Sequence, residues 1–191
     1  MAGSSTASSS PDQPVFYYDL GSPHCYVVAE TIMATLPVVP EWEPVLASQF
    51  TAGTAPQQHP DRPDIERLAD KLGLQRLRWP STWPADTTTA MLAATYAKKI
   101  GRGVAFSLAA FRQTFAGGRD IGDEHTILIA GAACEMHPAA LTKGVRMAST
   151  AQALQTANTR ARSAGVTTLP AIQIDGRTYE GAEAMALGGA E

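Results

Sequence analysis

The order of strand-like and helical segments constrains the fold more than any other feature of the sequence. Residues 15–20 and 41–47 carry the β-branched and aromatic residues typical of strands, and Pro44 favours an edge position for the second. Between them, a helical pattern begins at Pro23 and continues to about Thr35. A strand, a helix and a strand in this order predict a βαβ unit with a right-handed crossover.

The middle of the chain lacks strand patterns. From residue 51 to about 144, almost every periodic segment is helical, and Gly or Pro residues separate the segments. An aromatic, proline-rich loop that contains Trp79 and Trp83 lies between the first two helical segments. This part of the chain is therefore predicted to be an all-helical insertion. Its predicted helices cover residues 61–72, 86–100, 104–115 and 123–136, with a shorter one after Pro138.

Strand patterns return near the C-terminus. After a predicted helix over residues 149–164, two short strands are predicted at 171–174 and 177–179. Asp175-Gly176 between them is a strong signal for a two-residue hairpin turn. A last short helix is predicted over residues 183–187.

The complete order is that of a thioredoxin fold split by a helical domain. We therefore expect an α/β protein in which residues 15–50 and 145–191 form a thioredoxin-like domain and residues 51–144 form the inserted helical domain. Residues 1–14 are rich in Ser, Ala and Gly and are predicted to be a disordered tail. This tail lacks the charged start and apolar core of a secretion signal, which favours a cytoplasmic protein.

Composition excludes several classes of function. The formal net charge of −3 and the absence of a Lys/Arg cluster argue against nucleic-acid binding. No apolar run approaches the roughly 18 residues of a membrane span. The four histidines show no ligand-pair spacing, which argues against a metal site. The two cysteines, Cys25 and Cys134, are too far apart in sequence for a disulfide framework, and Cys134 is predicted to be core.

The residues that carry chemistry are Ser22-Pro23-His24-Cys25, at the predicted start of the first helix. Ser22 suits the N-cap position and Pro23 the first helical position. A cysteine in place of Ser22 would give a C-x-x-C redox motif, but a serine hydroxyl stays protonated at neutral pH and forms no disulfide. Plain helix capping is one interpretation of Ser22.

The other interpretation of Ser22 is activation of an external sulfur. A helix N-terminus presents unpaired N–H groups and a partial positive charge, and both stabilise an anion. A hydroxyl that donates to a bound thiolate contributes about 1.5–3 kcal/mol, which would lower the thiol pKa by about one to two units.

Two alternatives remain open at each of the next two positions. Cys25 is at the resolving position of a C-x-x-C pair, where burial disfavours a thiolate. It is either a small apolar residue packed under the helix start or a single thiol that forms mixed disulfides. His24 either adds positive charge near a sulfur or is an exposed helix residue without a role.

The motifs taken together resemble the DsbA superfamily, which contains DsbA-type oxidoreductases, 2-hydroxychromene-2-carboxylate isomerases and kappa-class glutathione transferases. Serine at the first motif position resembles the isomerase and transferase branches, whereas His24-Cys25 resembles the redox branch. The motifs that match in order and spacing are Phe16-Tyr17-Tyr18-Asp19-Leu20-Gly21-Ser22-Pro23, Phe111-Arg112-x-x-Phe115 with Asp120-Ile121, Gly165-Val166-x-x-Leu169-Pro170-Ala171 and Asp175-Gly176-Arg177-x-Tyr179-x-Gly181.

This resemblance implies further site residues and a cofactor. It implies a cis Leu169–Pro170 bond that faces the Ser22 turn, where the Leu169 backbone would pair with a cysteinyl peptide such as glutathione. Kappa-class enzymes hold the γ-glutamyl end of glutathione with Gly-Ser-Asp, and this chain has Gly181-Ala182-Glu183. Glu183 could still bind an amino group. The implied cofactor is glutathione or another low-molecular-weight thiol, and the implied assembly is a homodimer.

Three functions are consistent with these observations. In the first, Ser22 activates the sulfur of a bound thiol, which adds to a small electrophilic substrate in an isomerase or transferase reaction. In the second, the protein is a thiol-disulfide oxidoreductase that acts through Cys25 alone. In the third, it is a non-enzymatic binding protein. Trp79, Trp83 and either Tyr17 or Tyr18 would line an aromatic substrate pocket, unless they are packed in the interior.

Overall fold

The computed structural model describes residues 13–50 and 62–189. The tail predicted over residues 1–14 lies outside the described residues except for its last two. The first part of the predicted insertion, residues 51–61, also lies outside them.

Four short strands form one mixed sheet in the order β2-β1-β3-β4. β1 runs parallel to β2 and antiparallel to β3, and β3 and β4 form an antiparallel hairpin. This topology confirms the predicted thioredoxin-like fold, and β2 with Pro44 is an edge strand as predicted. The strands are β1 (Val15–Tyr18), β2 (Glu41–Pro44), β3 (Ala171–Ile174) and β4 (Arg177–Glu180).

Eight α-helices lie within the described ranges, and most agree with the predicted segments to within two or three residues. None of these helices is long and apolar enough to cross a bilayer. They are α1 (Pro23–Thr35), α2 (Arg62–Lys71), α3 (Thr88–Lys99), α4 (Gly103–Phe111), α5 (Glu124–Ala133), α6 (Pro138–Val145), α7 (Ala148–Ser163) and α8 (Ala182–Leu187).

Two elements differ from the sequence prediction. The second strand was predicted to reach residue 47 but ends at Pro44, because the Ala47 N–H donates to Asp19 and a 3₁₀ turn, Ala47–Gln49, begins there. The helix predicted over 104–115 ends as α4 at Phe111 and continues as a π-helical turn, Arg112–Ala116. In that turn the Thr114 hydroxyl donates to the Ala110 carbonyl, a bond of the kind that competes with regular helix geometry.

The helical region and the sheet share one apolar core. All of β1 is buried, and Tyr18 at its end lies 5.9 Å from the Phe111 ring of α4. Tyr26 of α1 stacks on Phe115 at 5.6 Å. These ring contacts connect the strand, the first helix and the helical region across the described core. The division into domains at 15–50, 51–144 and 145–191 stays a prediction.

Four charged side chains form ion pairs at the edge strand β2. Lys98 of α3 lies 2.8 Å from Glu41 and 2.7 Å from Glu43, both on β2. Arg160 of α7 contacts the same two carboxylates at 2.8 and 2.9 Å. We call Glu41, Glu43, Lys98 and Arg160 the β2 ion cluster. It connects the edge strand β2 to α3 through Lys98 and to α7 through Arg160.

The antiparallel pairing of β1 with β3 decides which residues meet. Because Tyr17 is opposite Ala171, the start of β3 lies beside the end of β1, where α1 also begins. Ala171 is in turn opposite Glu180, so Gly181 lies at the same end of the strands. The Gly181 N–H donates to the Pro170 carbonyl at 3.0 Å. The strand pairing therefore brings the Ser22 turn, Pro170 and Gly181 together at one end of the strands.

Candidate active site at the start of helix α1

Ser22 is the N-cap of α1, and Pro23 occupies the first turn. The Ser22 Oγ accepts a hydrogen bond from the Cys25 N–H at 3.2 Å, so the predicted capping role is confirmed. A hydroxyl that accepts through its oxygen can still donate through its hydrogen. Only 3% of Ser22 is exposed, so an external sulfur would have to displace a neighbouring group to reach it.

Cys25 is fully buried directly beneath this cap. Burial raises the pKa of its thiol to about 12, although the Ser22 hydroxyl and the Asp19 backbone lower the pKa in part. At neutral pH the side chain is therefore a protonated thiol. This supports the interpretation of Cys25 as a small packed residue rather than a reactive one.

His24, the residue before Cys25 in the helix, is half-buried. Burial lowers the pKa of its imidazole below the usual value. The ring is therefore largely neutral at neutral pH. This argues against His24 as a source of positive charge beside a sulfur.

Asp19 organises the backbone around the turn, and the sequence analysis did not assign it a role. Its carboxyl accepts from the Gly21 N–H and the Ala47 N–H, each at 2.8 Å, and from the Thr87 hydroxyl at 3.0 Å. Burial raises the pKa of this 2% exposed carboxyl. We call Asp19 with Gly21, Ala47 and Thr87 the Asp19 cluster. Only the bond to Gly21 has a local signal, the tendency of Asp to bond to the backbone two residues on.

The aromatic loop packs against the same turn. The Trp83 indole N–H donates to the Gly21 carbonyl at 3.1 Å. A Cβ atom at Gly21 would lie 2.6 Å from the Thr87 methyl group, so the close approach of the loop requires glycine there. Trp79 and Trp83, both half-buried, meet edge to face at 5.2 Å. The sequence-predicted tryptophans are therefore beside the Ser22 turn.

The two tyrosines that were considered for an aromatic pocket are not available for one. Tyr17 and Tyr18 are fully buried. The Tyr17 hydroxyl donates to Gln173 at 3.3 Å, and the Tyr18 hydroxyl is bonded to Ser107 at 2.6 Å. Interior packing, the alternative left open for these residues, is what the structure shows for both tyrosines, because β1 is a central strand and both of its faces are covered.

The second part of the site is the segment before β3. The Leu169–Pro170 peptide bond is cis, and both side chains are buried. Glu180 at the end of β4 holds this segment, since its carboxylate accepts from the Thr168 N–H at 2.8 Å and from the Thr167 hydroxyl at 2.9 Å. The sequence analysis did not find Glu180, because its partners lie on a different element.

Gly181 and Glu183 lie at the start of the last helix, α8, rather than in the Ser22 turn itself. Gly181 has a positive φ of 52° and precedes α8, which packs on α1. Glu183 lies in the first turn of α8 with its side chain exposed. An acidic residue there stabilises the helix N-terminus. A role of Glu183 in holding an amino group stays a prediction.

Comparison with known structures finds proteins with a similar fold. A 2-hydroxychromene-2-carboxylate isomerase is similar with a TM-score of 0.74 and 13% identity over 88% of each chain. A probable DsbA oxidoreductase from Streptomyces coelicolor has a TM-score of 0.71 and 20% identity over 93% of this chain and 87% of that one. The cytosolic disulfide reductase DsbM from Pseudomonas aeruginosa has a TM-score of 0.66 and 16% identity over 92% of each chain.

At these identities the similar structures establish the fold. No curated protein matches the sequence. Residues 15–188, which include every site residue described above, match the family of DSBA-like thioredoxin domains. With the sheet topology and this match in agreement, the chain belongs to the DSBA-like thioredoxin domain family.

Proposed function

We propose that this protein is a thiol-dependent enzyme in which Ser22 and the N-terminus of α1 activate the sulfur of a bound small thiol. The observation that carries the proposal is the arrangement of the cap. The Ser22 oxygen accepts from the Cys25 N–H, and its hydroxyl hydrogen can donate to a bound sulfur in place of the Cys25 sulfur, which belongs to a buried, protonated thiol. The helix end therefore has no thiolate of its own to stabilise at neutral pH.

The reaction class follows from the chemistry of a bound thiolate. The sulfur adds to the electrophilic carbon of a conjugated double bond, a C–S bond forms, and the electron pair of the double bond moves onto the conjugated carbonyl. Rotation about the new single bond and expulsion of the thiolate give an isomer of the substrate. Protonation of the adduct and release of the thioether instead give a transferase product.

Glutathione is the first thiol to test. One of the similar structures, of the disulfide reductase DsbM, was determined with GSH, and its identity to this chain is 14% with a TM-score of 0.67. Pro170 and Gly181 lie at the same end of the strands as Ser22, which supports a peptide-like thiol that binds across that end. The proposal includes a cytoplasmic location, where such thiols are abundant, and local movement around Ser22 when the thiol binds.

The experiment measures the pKa of enzyme-bound glutathione by thiolate ultraviolet absorbance in a Cys25→Ala/Cys134→Ala background, so that the bound thiol is the one thiol that titrates. We expect Ser22→Ala to raise that pKa by about one to two units and Ser22→Thr, which keeps a hydroxyl, to restore most of it. Asp123→Ala is the matched control, because Asp123 caps α5 through the His125 N–H in the same way.

Two outcomes would contradict the proposal. If Ser22→Ala and Asp123→Ala leave the bound pKa equally unchanged, Ser22 is only a helix cap. If thiol-dependent turnover disappears in the Cys25→Ala protein while glutathione still binds, the chemistry belongs to Cys25, and the oxidoreductase alternative gains support.

A further inference from the structure

An arginine packs against two adjacent indole rings beside the Ser22 turn. The Arg62 Cζ is 4.8 Å from the centre of the Trp79 ring and 5.4 Å from the centre of the Trp83 ring. The two rings are inclined at 62° to each other. A guanidinium held against two aromatic faces is favoured electrostatically and loses part of its conformational freedom.

Both rings are also held in place by residues other than Arg62. The Trp79 indole N–H donates to Glu66 at 2.5 Å, and the ring also meets Phe115 edge to face at 6.1 Å. The Trp83 indole N–H donates to the Gly21 carbonyl at 3.1 Å. Arg62 is therefore positioned by groups that belong to α2, to the helical region and to the turn before Ser22.

The hydrogen-bonding edge of Arg62 has no acidic partner in the described part of the chain. Arg67 on the same helix pairs with Asp64, and Arg112 pairs with Glu30 at 2.7 Å. Within residues 13–50 and 62–189, Arg62 forms no such ion pair, and its side chain is exposed. Cation–π contacts with the rings supply no oxygen acceptor to the guanidinium N–H groups, and these groups can therefore bind a carboxylate through two hydrogen bonds.

We propose that Arg62, Trp79 and Trp83 form a carboxylate-binding subsite for the ligand that reacts at Ser22; this rests on the function proposed above. Trp83 contacts both Arg62 and the Gly21 carbonyl, one residue before Ser22. One small molecule can therefore place its reacting atom at the turn and its carboxylate on Arg62. The carboxylate belongs either to the thiol or to the electrophilic substrate, and the experiment distinguishes the two.

Glu66 bears on the strength of this subsite. It lies one helical turn after Arg62 and holds the Trp79 indole without forming an ion pair with Arg62. Its negative charge opposes a second carboxylate nearby, whereas a glutamine there still accepts from the indole. We therefore expect Glu66→Gln to tighten carboxylate binding by a few-fold, in contrast to any change at Arg62.

The test is calorimetric binding to the full chain, with five probes: glutathione, its diethyl ester, S-methylglutathione, ethacrynate and the methyl ester of ethacrynate. We expect Arg62→Gln to weaken binding of the carboxylate probes by about 10- to 100-fold and Arg67→Gln by less than about twofold. If glutathione shows the loss and its diester does not, the thiol supplies the carboxylate. If ethacrynate alone shows it, the substrate does.

The outcomes separate this inference from the proposed function. S-methylglutathione cannot form a thiolate, so Arg62-dependent binding of it with no effect of Ser22→Ala on the bound glutathione pKa keeps the subsite and rejects Ser22 activation. Equal affinities of the wild type and Arg62→Gln for every carboxylate probe overturn the subsite. An unchanged unfolding midpoint of Arg62→Gln and a positive effect of Glu66→Gln exclude misfolding as the cause of lost binding.

Discussion

Carboxylates at two sites along the sheet are stabilised in opposite ways. In the Asp19 cluster, a carboxyl that is 2% exposed accepts from two backbone N–H groups and a hydroxyl and from no cation among the described residues, and burial raises its pKa. In the β2 ion cluster, Lys98 and Arg160 surround two carboxylates. Hydrogen bonds from Arg160 are the largest cause that lowers the pKa of Glu41, to about 2.

The difference shows what each cluster contributes. Opposite charges at the sheet edge hold α3 and α7 against β2, and the two cations offset the burial of Glu43. A buried carboxyl without a cation is costly, and an apolar side chain of similar size would be easier to bury. What an apolar residue could not do is bind the backbone of Gly21 and Ala47 together with Thr87. Asp19 therefore fixes the shape of the turn that presents Ser22.

The largest effect is expected from Asp19→Ala. It leaves two half-buried N–H groups and a half-buried hydroxyl without their acceptor, and up to about 1–3 kcal/mol is lost for each unpaired group. Allowing for relaxation, we expect the free energy of unfolding to fall by about 2–4 kcal/mol in urea titrations. Asp19→Asn keeps one carbonyl oxygen and should lose less. A loss below about 1 kcal/mol for Asp19→Ala would mean that water replaces the carboxyl.

A smaller effect is expected when the β2 ion cluster loses one cation. Lys98→Met keeps the apolar part of the side chain but leaves Glu43, whose side chain is 9% exposed, with Arg160 alone. We expect a loss of about 1–2 kcal/mol in the free energy of unfolding, reduced at high salt. Arg67→Gln is the control, since its pair with Asp64 is exposed and should contribute about 0–1 kcal/mol. Equal losses in both variants would remove the distinction between edge and surface pairs.

The same contrast explains which parts of the structure the sequence could predict. The strand order and the hairpin depend on local periodicity and turn residues, and Asp175 and Gly176 do adopt the positive φ values of 48° and 76° that this turn needs. The Ser22 cap is equally local, because its partner is three residues away. Such features are visible in a window of a few residues.

The groups that surround Ser22 come from distant parts of the chain. Asp19 is 28 residues from Ala47 and 68 from Thr87, and Gly21 is 62 residues from Trp83. Nothing in a short window pairs them, and the side-chain partners of a charge are decided by packing rather than by periodicity. Arg62 could not be recognised from sequence for the same reason.

A still smaller effect is expected from Thr87→Val, which tests whether Thr87 and the turn are joined through Asp19. Valine keeps the shape and the methyl group beside Gly21 but removes the hydroxyl that donates to the carboxyl at 3.0 Å. The free energy of unfolding should fall by about 0.5–1.5 kcal/mol. In the Asp19→Ala background the same substitution should have almost no effect, because the two groups share one interaction. Additive losses in this double-mutant cycle would show that Thr87 acts independently of Asp19.

The smallest effect is the response of the β2 ion cluster to acid. The pKa of Glu41 is lowered in the folded protein, so its contribution to stability is present above the unfolded pKa of about 4.3 and is lost as the pH falls through about 2. Asp19 has the opposite sign, because its raised pKa gives a contribution that is complete below the unfolded value and lost as the pH rises.

The measurement for this last prediction is the free energy of unfolding as a function of pH for the wild type, Glu41→Gln and Asp19→Asn. Glu41→Gln should flatten the pH dependence between about pH 4.5 and 2, whereas Asp19→Asn should steepen it above about pH 3.9, the unfolded pKa of Asp. The effect of Glu41 should be small, because its side chain is 32% exposed and solvent screens its charge. If Glu41→Gln and Asp19→Asn shift the acid limb in the same direction, the two carboxylates are not stabilised in opposite ways, and the distinction between the turn and the sheet edge fails.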